Sequence, residues 1–490
     1  MKPLSRTAAI ALCGCALGSC AVGPDFHAPA APDTERYTRG AQPASTVAAS
    51  GAAGIAQSFE TVDRAPRTWW TQFRSDALDD LVNDALQHSP TLAQARARLT
   101  EAQENYRAQA GATLIPTVDA KLSDTRQKTN LAAFGIANVP NPGPFTLYNA
   151  SVSVSYLLDV FGGTRRALEA TMAQVDYQAF ELEAARLTLA GNVVSTAIRR
   201  ASAQRQIDLA GQITDAQAQQ LAIVERRYAA GGVSELDVRS QRTLLAQTRA
   251  TLPPLATQLA QADHQLAILT GVAPANAQFG DITLDALHLP DKIPLTLPST
   301  LARERPDIRA SEALLREASA NVGVATANLY PQFSISAGIG SERTRIEDVV
   351  SGLNIWNIGL NLTQPIFHGG ELHARKRAAV AAYDAALADY RQTVLQALQQ
   401  VADTLRALEN DARELQARDE AAREVQASAA IAQSQYAAGG VSQFALIDTQ
   451  RQALQTTLDW TRAQADRFAD TVALFQALGG TPLPAGGQPP

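Results

Sequence analysis

Tyr228-Ala229-Ala230-Gly231-Gly232-Val233-Ser234 recurs letter for letter as Tyr436-Ala437-Ala438-Gly439-Gly440-Val441-Ser442, 208 residues further on. An identity of that length marks an internal duplication, which outranks local propensity when a fold is assigned. Other landmarks keep nearly the same spacing: Val160-Phe161-Gly162-Gly163 is matched by Ile366-Phe367-His368-Gly369-Gly370, and Leu269-Thr270-Gly271 by Leu478-Gly479-Gly480. Ser89-Pro90 and Arg305-Pro306 open related helices, and Ile115-Pro116 and Tyr330-Pro331 end them. Proline is accepted in a first helical turn and turns the residue before it away from helix. Each half reads helix, strand, loop, strand, long helix, turn, long helix. The glycine pairs sit where a chain reversal needs left-handed backbone.

Outward from the repeated turns lie helices of unusual length. From about Thr164 to Ala229, and from about Glu371 to Ala437, there is no proline and little glycine. An unbroken helix of that size would run roughly 100 Å at a rise of about 1.5 Å per residue. Apolar residues advance by threes and fours, through Leu168, Met172, Val175, Ala179 and Leu182 in the first helix. In the second they run through Leu387, Tyr390, Val394, Ala397, Val401, Leu405, Leu408, Ala412 and Leu415. That spacing is a coiled-coil seam. After each turn the chain reverses into a further helix, Ser234 to about Leu269 and Ser442 to about Leu478, with a kink or break expected at Pro253-Pro254.

Four segments alternate instead with a period of two. Val118, Ala120 and Leu122, then Val152, Val154 and Tyr156, belong to the first half. Phe333, Ile335, Ala337 and Ile339, then Trp356, Ile358, Leu360 and Leu362, belong to the second. Intervening positions carry Ser, Asn, Asp, Lys or Gly. Strands of about ten residues with one apolar face suit a tilted membrane crossing, although a half-buried strand of a soluble sandwich has the same period. Four strands cannot close a barrel, and open edges are not tolerated in lipid. Membrane strands would therefore require several copies of the chain.

Composition agrees with long helices rather than a bulky core. The 490 residues are 46% hydrophobic yet only 6% aromatic, with 2 Met, and the stretches rich in Ala, Leu, Gln and Arg favour helix. A formal charge of −6 speaks against nucleic acid, whose binders show a basic patch or stripe. The histidines His27, His88, His264, His288, His368 and His373 are scattered. The closest two are five apart, which does not converge on a metal as an i, i+4 pair does. No phosphate-binding loop, nucleophile elbow or paired-Cys cluster is present, so catalysis and a bound cofactor are not expected.

The amino terminus reads as a processing signal. Lys2 and Arg6 precede an apolar run from Ala8 to Leu17, too short for a membrane helix. Leu17-Gly18-Ser19-Cys20 resembles a lipoprotein cleavage box, with Leu12-Cys13-Gly14-Cys15 a weaker candidate and a plain secretory signal the alternative. Cleavage before Cys20 would make 1–19 a signal peptide and leave Cys20 as the lipidated first residue, with no partner for a disulfide. Residues 20–65, with an aperiodic stretch rich in Ala, Pro, Ser, Gly and Thr, read as an extended, partly flexible tether. Residues 66–275 form the first repeat, 276–298 a linker, 299–480 the second repeat and 481–490 a flexible carboxyl terminus.

The duplicated strand and coiled-coil halves, the start Cys20-Ala21-Val22-Gly23-Pro24-Asp25-Phe26, and Trp69-Trp70 ahead of Phe73 and Leu78 together resemble the outer-membrane factor (TolC-like) family, specifically its OprM/NodT-type RND efflux lipoproteins. The resemblance implies an α+β membrane protein: a homotrimer with a twelve-stranded barrel, four strands per protomer, continued by a long coiled-coil helical tube across the periplasm. It implies a passive exit duct in the outer membrane, anchored in outer-membrane lipid, that docks to a periplasmic adaptor and through it to an inner-membrane RND-type transporter, for drugs or other small molecules. A duct for type I protein secretion is the alternative, and a periplasmic coiled-coil scaffold lipoprotein the reading from a different class. Residue by residue, Gly231, Gly232, Val233, Ser234, Gly439, Gly440, Val441 and Ser442 match the family's adaptor-facing tips, unless those glycines serve the turn alone. Asp448 stands where the family has an acid lining the closed periplasmic entrance, or else is an ordinary solvated carboxylate. The family member TolC has a second acid three residues earlier, where this chain has Ala445; Phe444 would then be an apolar constriction or a hairpin seam residue.

Overall fold

The computed structural model of the chain describes residues 21–40, 44–62, 66–131, 135 and 140–479. The proposed signal peptide, Cys20 and the terminus 481–490 lie outside the described residues. The chain falls into two compact units, and neither is a sequence repeat. One unit gathers Met1–Pro29, Arg98–Gln178 and Ser311–Tyr390; the other gathers Ala30–Ala97, Ala179–Ala310 and Arg391–Pro490. Each draws on both repeats, because strands pair with strands and helices pack on helices whichever half supplies them.

In the first unit, β2 (Thr117–Gln127), β3 (Phe145–Leu158), β5 (Gln332–Arg343) and β6 (Ile355–Thr363) form one antiparallel sheet in the order β2-β3-β5-β6. The register aligns the alternating residues into rows. Ala120, Val152, Ile339 and Trp356 stand opposite one another in one row, and Val118, Val154, Ala337 and Ile358 in the next. The neighbouring row, Asp119, Ser153, Gly338 and Asn357, emerges on the opposite face, since successive side chains of a strand alternate. The apolar face is bare, with Trp356 75% exposed. The residues after Cys20 are held in this unit as well. The Val22 N–H donates to Phe161 O at 3.0 Å, and Arg166 Nη2 donates to Asp25 Oδ1 at 2.6 Å.

Several helix ends fall at prolines or glycines, and others at serine caps. The helices are α1 (Asp76–His88), α2 (Pro90–Leu114), α3 (Gly163–Ala229), α4 (Glu235–Arg249), α5 (Leu252–Thr270), α6 (Pro298–Glu304), α7 (Pro306–Ala327), α8 (Glu371–Ala437) and α9 (Gln443–Ala477). Both long helices are unbroken. The expected interruption at Pro253-Pro254 is a break between α4 and α5, with proline in the first turn of the second piece. On α8 the seam is buried from Tyr390 through Val394, Ala397, Val401, Leu405, Leu408 and Ala412 to Leu415. Its counterpart on α3 is looser, because Met172 lies exposed.

The second unit carries the aromatic core. Trp69 is 1% exposed, stacks on Phe475 with centroids 5.3 Å apart and meets Trp70 edge-on at 5.9 Å. Phe73 packs on Phe468 at 6.1 Å. The segments whose composition suggests a tether and a linker supply strands here: β1 (Ser58–Thr61) pairs in parallel with β4 (Lys292–Leu295). The stretch before β1 is extended and pinned at intervals. The buried Arg467 donates to Thr46 Oγ1 and to Leu408 O, each at 2.7 Å, the Ser50 N–H donates to Asp419 Oδ2 at 3.3 Å, and Gln57 Nε2 donates to Pro290 O at 3.1 Å. Such contacts have no periodicity, so the composition of the segment conceals them.

One carboxyl in this unit is misfitted to neutral pH. Burial, reinforced by the hydrogen-bonded Asp411 carboxyl and by the charge of Asp466, pushes Asp470 up to about 8, against the opposing pull of Arg467. A folded-state value above the unfolded 3.8 means that the favourable contribution is complete below about pH 4 and is lost as the pH rises through 8. Thermal unfolding followed by circular dichroism is expected to shift to lower temperature between pH 6 and pH 9, by about a few degrees after solvent screening is allowed for. Asp470→Asn should flatten that slope; an unaltered slope would assign the pH dependence to other groups.

Candidate functional site

Both hairpin tips use the same backbone device. Gly231 and Gly439 are left-handed, with φ of 76° and 78°. The Gly232 N–H donates to Arg227 O at 2.8 Å and the Gly231 N–H to Tyr228 O at 2.9 Å. In the second tip the Gly440 N–H donates to Gln435 O at 2.8 Å and the Gly439 N–H to Tyr436 O at 3.1 Å. This paired closure satisfies the last carbonyls of α3 and α8. It demands glycine only at Gly231 and Gly439. Gly232 and Gly440 have ordinary φ, and a Cβ there would meet nothing nearer than Arg227 O at 3.4 Å or Gln435 O at 3.5 Å.

The next residue pairs start the return helices. Val233 and Val441 are half-buried, and Ser234 and Ser442 are the caps. Ser234 Oγ accepts from the Asp237 N–H at 3.2 Å while Asp237 Oδ2 accepts from the Ser234 N–H at 2.9 Å, a reciprocal capping box. Ser442 Oγ accepts from the Ala445 N–H at 3.2 Å, but Ala445 has no carboxylate to return the bond. The second tip is thus the more weakly capped one.

Beside the tips the two hairpins meet through neutral amides. Gln443 Nε2 donates to Gln241 Oε1 at 2.8 Å in a buried pair, and Gln433 Nε2 donates to Gln220 Oε1 at 3.1 Å. Arg227 lies over the Tyr436 ring, 5.6 Å from its centroid. These glutamines read in the sequence only as good helix formers; no spacing rule singles them out.

Phe444 is 79% exposed, and so does not sit in the hairpin seam, while Leu236, at the equivalent position of the first repeat, is 72% exposed. Asp448 follows Phe444 by four residues, which places the two on one face of α9. Its carboxylate is engaged within its own helix: Arg451 Nη2 donates to Oδ1 at 2.7 Å and Gln452 Nε2 to Oδ2 at 2.8 Å. The chain therefore brings Phe444 and Asp448 together beside the second tip, and couples to them a cation, Arg451, that no sequence motif singles out. Among the described residues there is no group of three or more His, Cys, Asp or Glu able to hold a metal ion, and no helix is long and apolar enough to cross a membrane.

A sheet whose apolar face is bare thus lies in a chain whose long helices turn back at duplicated tips. Residues 81–272 and 297–480 match the family described as outer membrane efflux protein, and the chain belongs to that family. It is 31% identical over 416 residues to the pyoverdine export outer membrane protein OpmQ of Pseudomonas putida, spanning 84% of this chain and 87% of that protein. It is 28% identical to the outer membrane protein OprJ of Pseudomonas aeruginosa, over 98% of this chain and 96% of the other. Among solved structures, the outer-membrane channel OprN superposes with a TM-score of 0.83 at 28% identity, covering 95% of this chain and 100% of that one. The protein is an outer-membrane efflux channel component, and its fold is that of the TolC-like channels.

Proposed function

We propose that the chain works as a homotrimeric exit duct, lipidated at Cys20, that docks by its helical tips to a periplasmic adaptor and receives small molecules from an inner-membrane RND-type transporter. The four-stranded sheet carries this reading. Its apolar face is bare, and its outer strands β2 and β6 have no further strand beside them among the described residues. Backbone N–H and C=O groups on such edges cannot remain unpaired in lipid. Pairing β6 of one copy with β2 of the next removes both edges at once, and three copies bring twelve strands, the number the family resemblance implies.

The tips support docking through what their turns do not need. Gly232 and Gly440 are spared from the left-handed conformation, yet both are glycine, which lets a second backbone come close. Phe444 and Asp448 sit on the more weakly capped hairpin and form the entrance, with Phe444 the apolar and Asp448 the anionic element. Relatives carry names for the export of pyoverdine, toluene and antibiotics, a range that supports a duct whose cargo is chosen upstream. Crosslinking in intact cells, followed by purification of the chain and mass spectrometry of its partners, is expected to recover an adaptor and an RND-type transporter. Recovery of an ATP-driven protein exporter in their place would move the chain to type I secretion, and recovery of neither would overturn the docking model.

A further inference from the structure

The strand register places more on the bare face of the sheet than its apolar rows. At the end nearer the helices the face closes with Leu158, Phe333 and Leu362. Beyond the row of Trp356 stand Leu122, Ala150 and Ser341, and there the chemistry changes. The next row is Asp124, Tyr148 and Arg343, and the one after it holds Arg126 opposite Thr146. Alternation of side chains along each strand keeps these residues on the face that bears Trp356, while Lys121 and Glu342 belong to rows of the opposite face. Lys128 is the residue after β2 and Arg345 the second after β5, with Glu347 and Asp348 in the short turn beyond. Arg126 is exposed and Arg343 half-buried, and neither side chain makes an ion pair among the described residues.

The charges gather at the loop end of the sheet, since β2 and β5 run toward it from α2 and α7, and β3 and β6 return from it to α3 and α8. In an outer-membrane channel with its helices in the periplasm, that end meets the outer leaflet. The side on which a cation stands decides what it can act on: on the water face it meets cargo, on the lipid face it meets headgroups. A guanidinium grips phosphate with two N–H groups of its planar fork. Strands about 4.8 Å apart that rise about 3.4 Å per residue put the Cα atoms of Arg126 and Arg343 about 12 Å from each other, so each can take a separate phosphate. Tyr148 lies in the row between them, and such amphipathic rings settle at headgroup level. The last row at the helix end has no charge, so the cations mark one leaflet rather than both. We propose that the loop end of this face binds the bisphosphorylated disaccharide of an outer-leaflet glycolipid, lipid A, with its acyl chains along the apolar rows, an inference that rests on the reading that the bare face meets lipid.

Native mass spectrometry of the assembled full-length protein, released from nonionic detergent, tests this with bisphosphorylated lipid A as the probe and with dephosphorylated lipid A and phosphatidylglycerol beside it. Saturable binding of the bisphosphorylated lipid is expected, tighter than that of either comparison lipid. Arg126→Gln and Arg343→Gln should each weaken it about tenfold and leave the amount of heat-resistant oligomer unchanged. Lys121→Gln removes an equal charge from the opposite face and should leave the affinity as it was. The proposal is overturned if the probe shows no saturable binding, if either comparison lipid binds as tightly, if both arginine variants keep the original affinity, or if Lys121→Gln weakens binding as much as they do. Insertion into phosphatidylethanolamine vesicles separates this inference from the reading beneath it. A protein that inserts and fails the binding tests loses only the lipid A site, whereas one that does not insert loses the lipid-facing sheet as well.

Discussion

Gly440→Trp is expected to abolish export while the protein still folds, reaches the outer membrane and assembles. The expectation rests on the difference between the two glycines of the tip. Gly439 has φ of 78° and closes the turn, so a β-branched residue there would strain the backbone by about 1–3 kcal/mol. Gly440 carries no such demand, and its nearest obstacle to a Cβ is Gln435 O at 3.5 Å, an ordinary contact. An indole at that position projects from an exposed turn, where the chain itself has room and a partner docked as proposed would not. The measurement is accumulation of a fluorescent efflux substrate in cells expressing the variant, beside the amount of heat-resistant oligomer in outer-membrane fractions. Normal export with an intact oligomer would show that the tip glycines serve the turn alone; loss of the oligomer would mean that this tip contributes to assembly.

Asp448→Ala should change both the conductance and the ion selectivity of the purified channel. In each chain Asp448 is paired with Arg451 on the next turn of α9, at 2.7 Å. Several copies around one axis would present alternating carboxylates and guanidiniums. Removing the carboxylate leaves the guanidinium in place, so the ring passes from nearly neutral to cationic, and charged rings set ion selectivity in a pore. It also removes the acceptor of Gln452 and the tie that holds Arg451 to the helix surface. In planar bilayers the variant is expected to conduct more and to move its reversal potential toward anions. The double variant Asp448→Ala with Arg451→Ala should keep the conductance gain and lose the anion preference. If conductance and reversal potential stay at their original values, Asp448 is a solvated helix carboxylate and the entrance is closed by other groups.

The helical part of the fold is legible because long helices leave strong marks. Prolines at Pro90 and Pro306 open α2 and α7, an unbroken three-four spacing runs along α8, and the duplicated turn fixes where α3 and α8 end. The strands are legible for a similar reason, since Val152, Val154 and Tyr156 alternate with serines and the register then lines those residues up with β2 and β5. The short parallel pair of β1 and β4 was concealed. Four residues on each strand are too few to show a period, and their partners are more than 200 positions away. Trp69 and Trp70 stand out in a chain poor in aromatic residues, yet only packing puts Trp69 on Phe475 and edge-on to Trp70.

The tips divide in the same way. Seven identical residues located both turns, but which glycine of each pair is obligatory depends on backbone angles that two adjacent identical letters do not distinguish. Likewise Arg451 is only a helix former in the sequence, and becomes the counterion of Asp448 through the direction in which both side chains leave α9. By itself the sequence determined the repeats, the reversals and the lengths of the elements, because proline, glycine and hydrophobic period act locally on the backbone. Tertiary structure decided how the two halves are shared between units, the order in which the strands pair and where the buried arginines are tied. Those depend on contacts between residues far apart in the chain, and no local pattern encodes them.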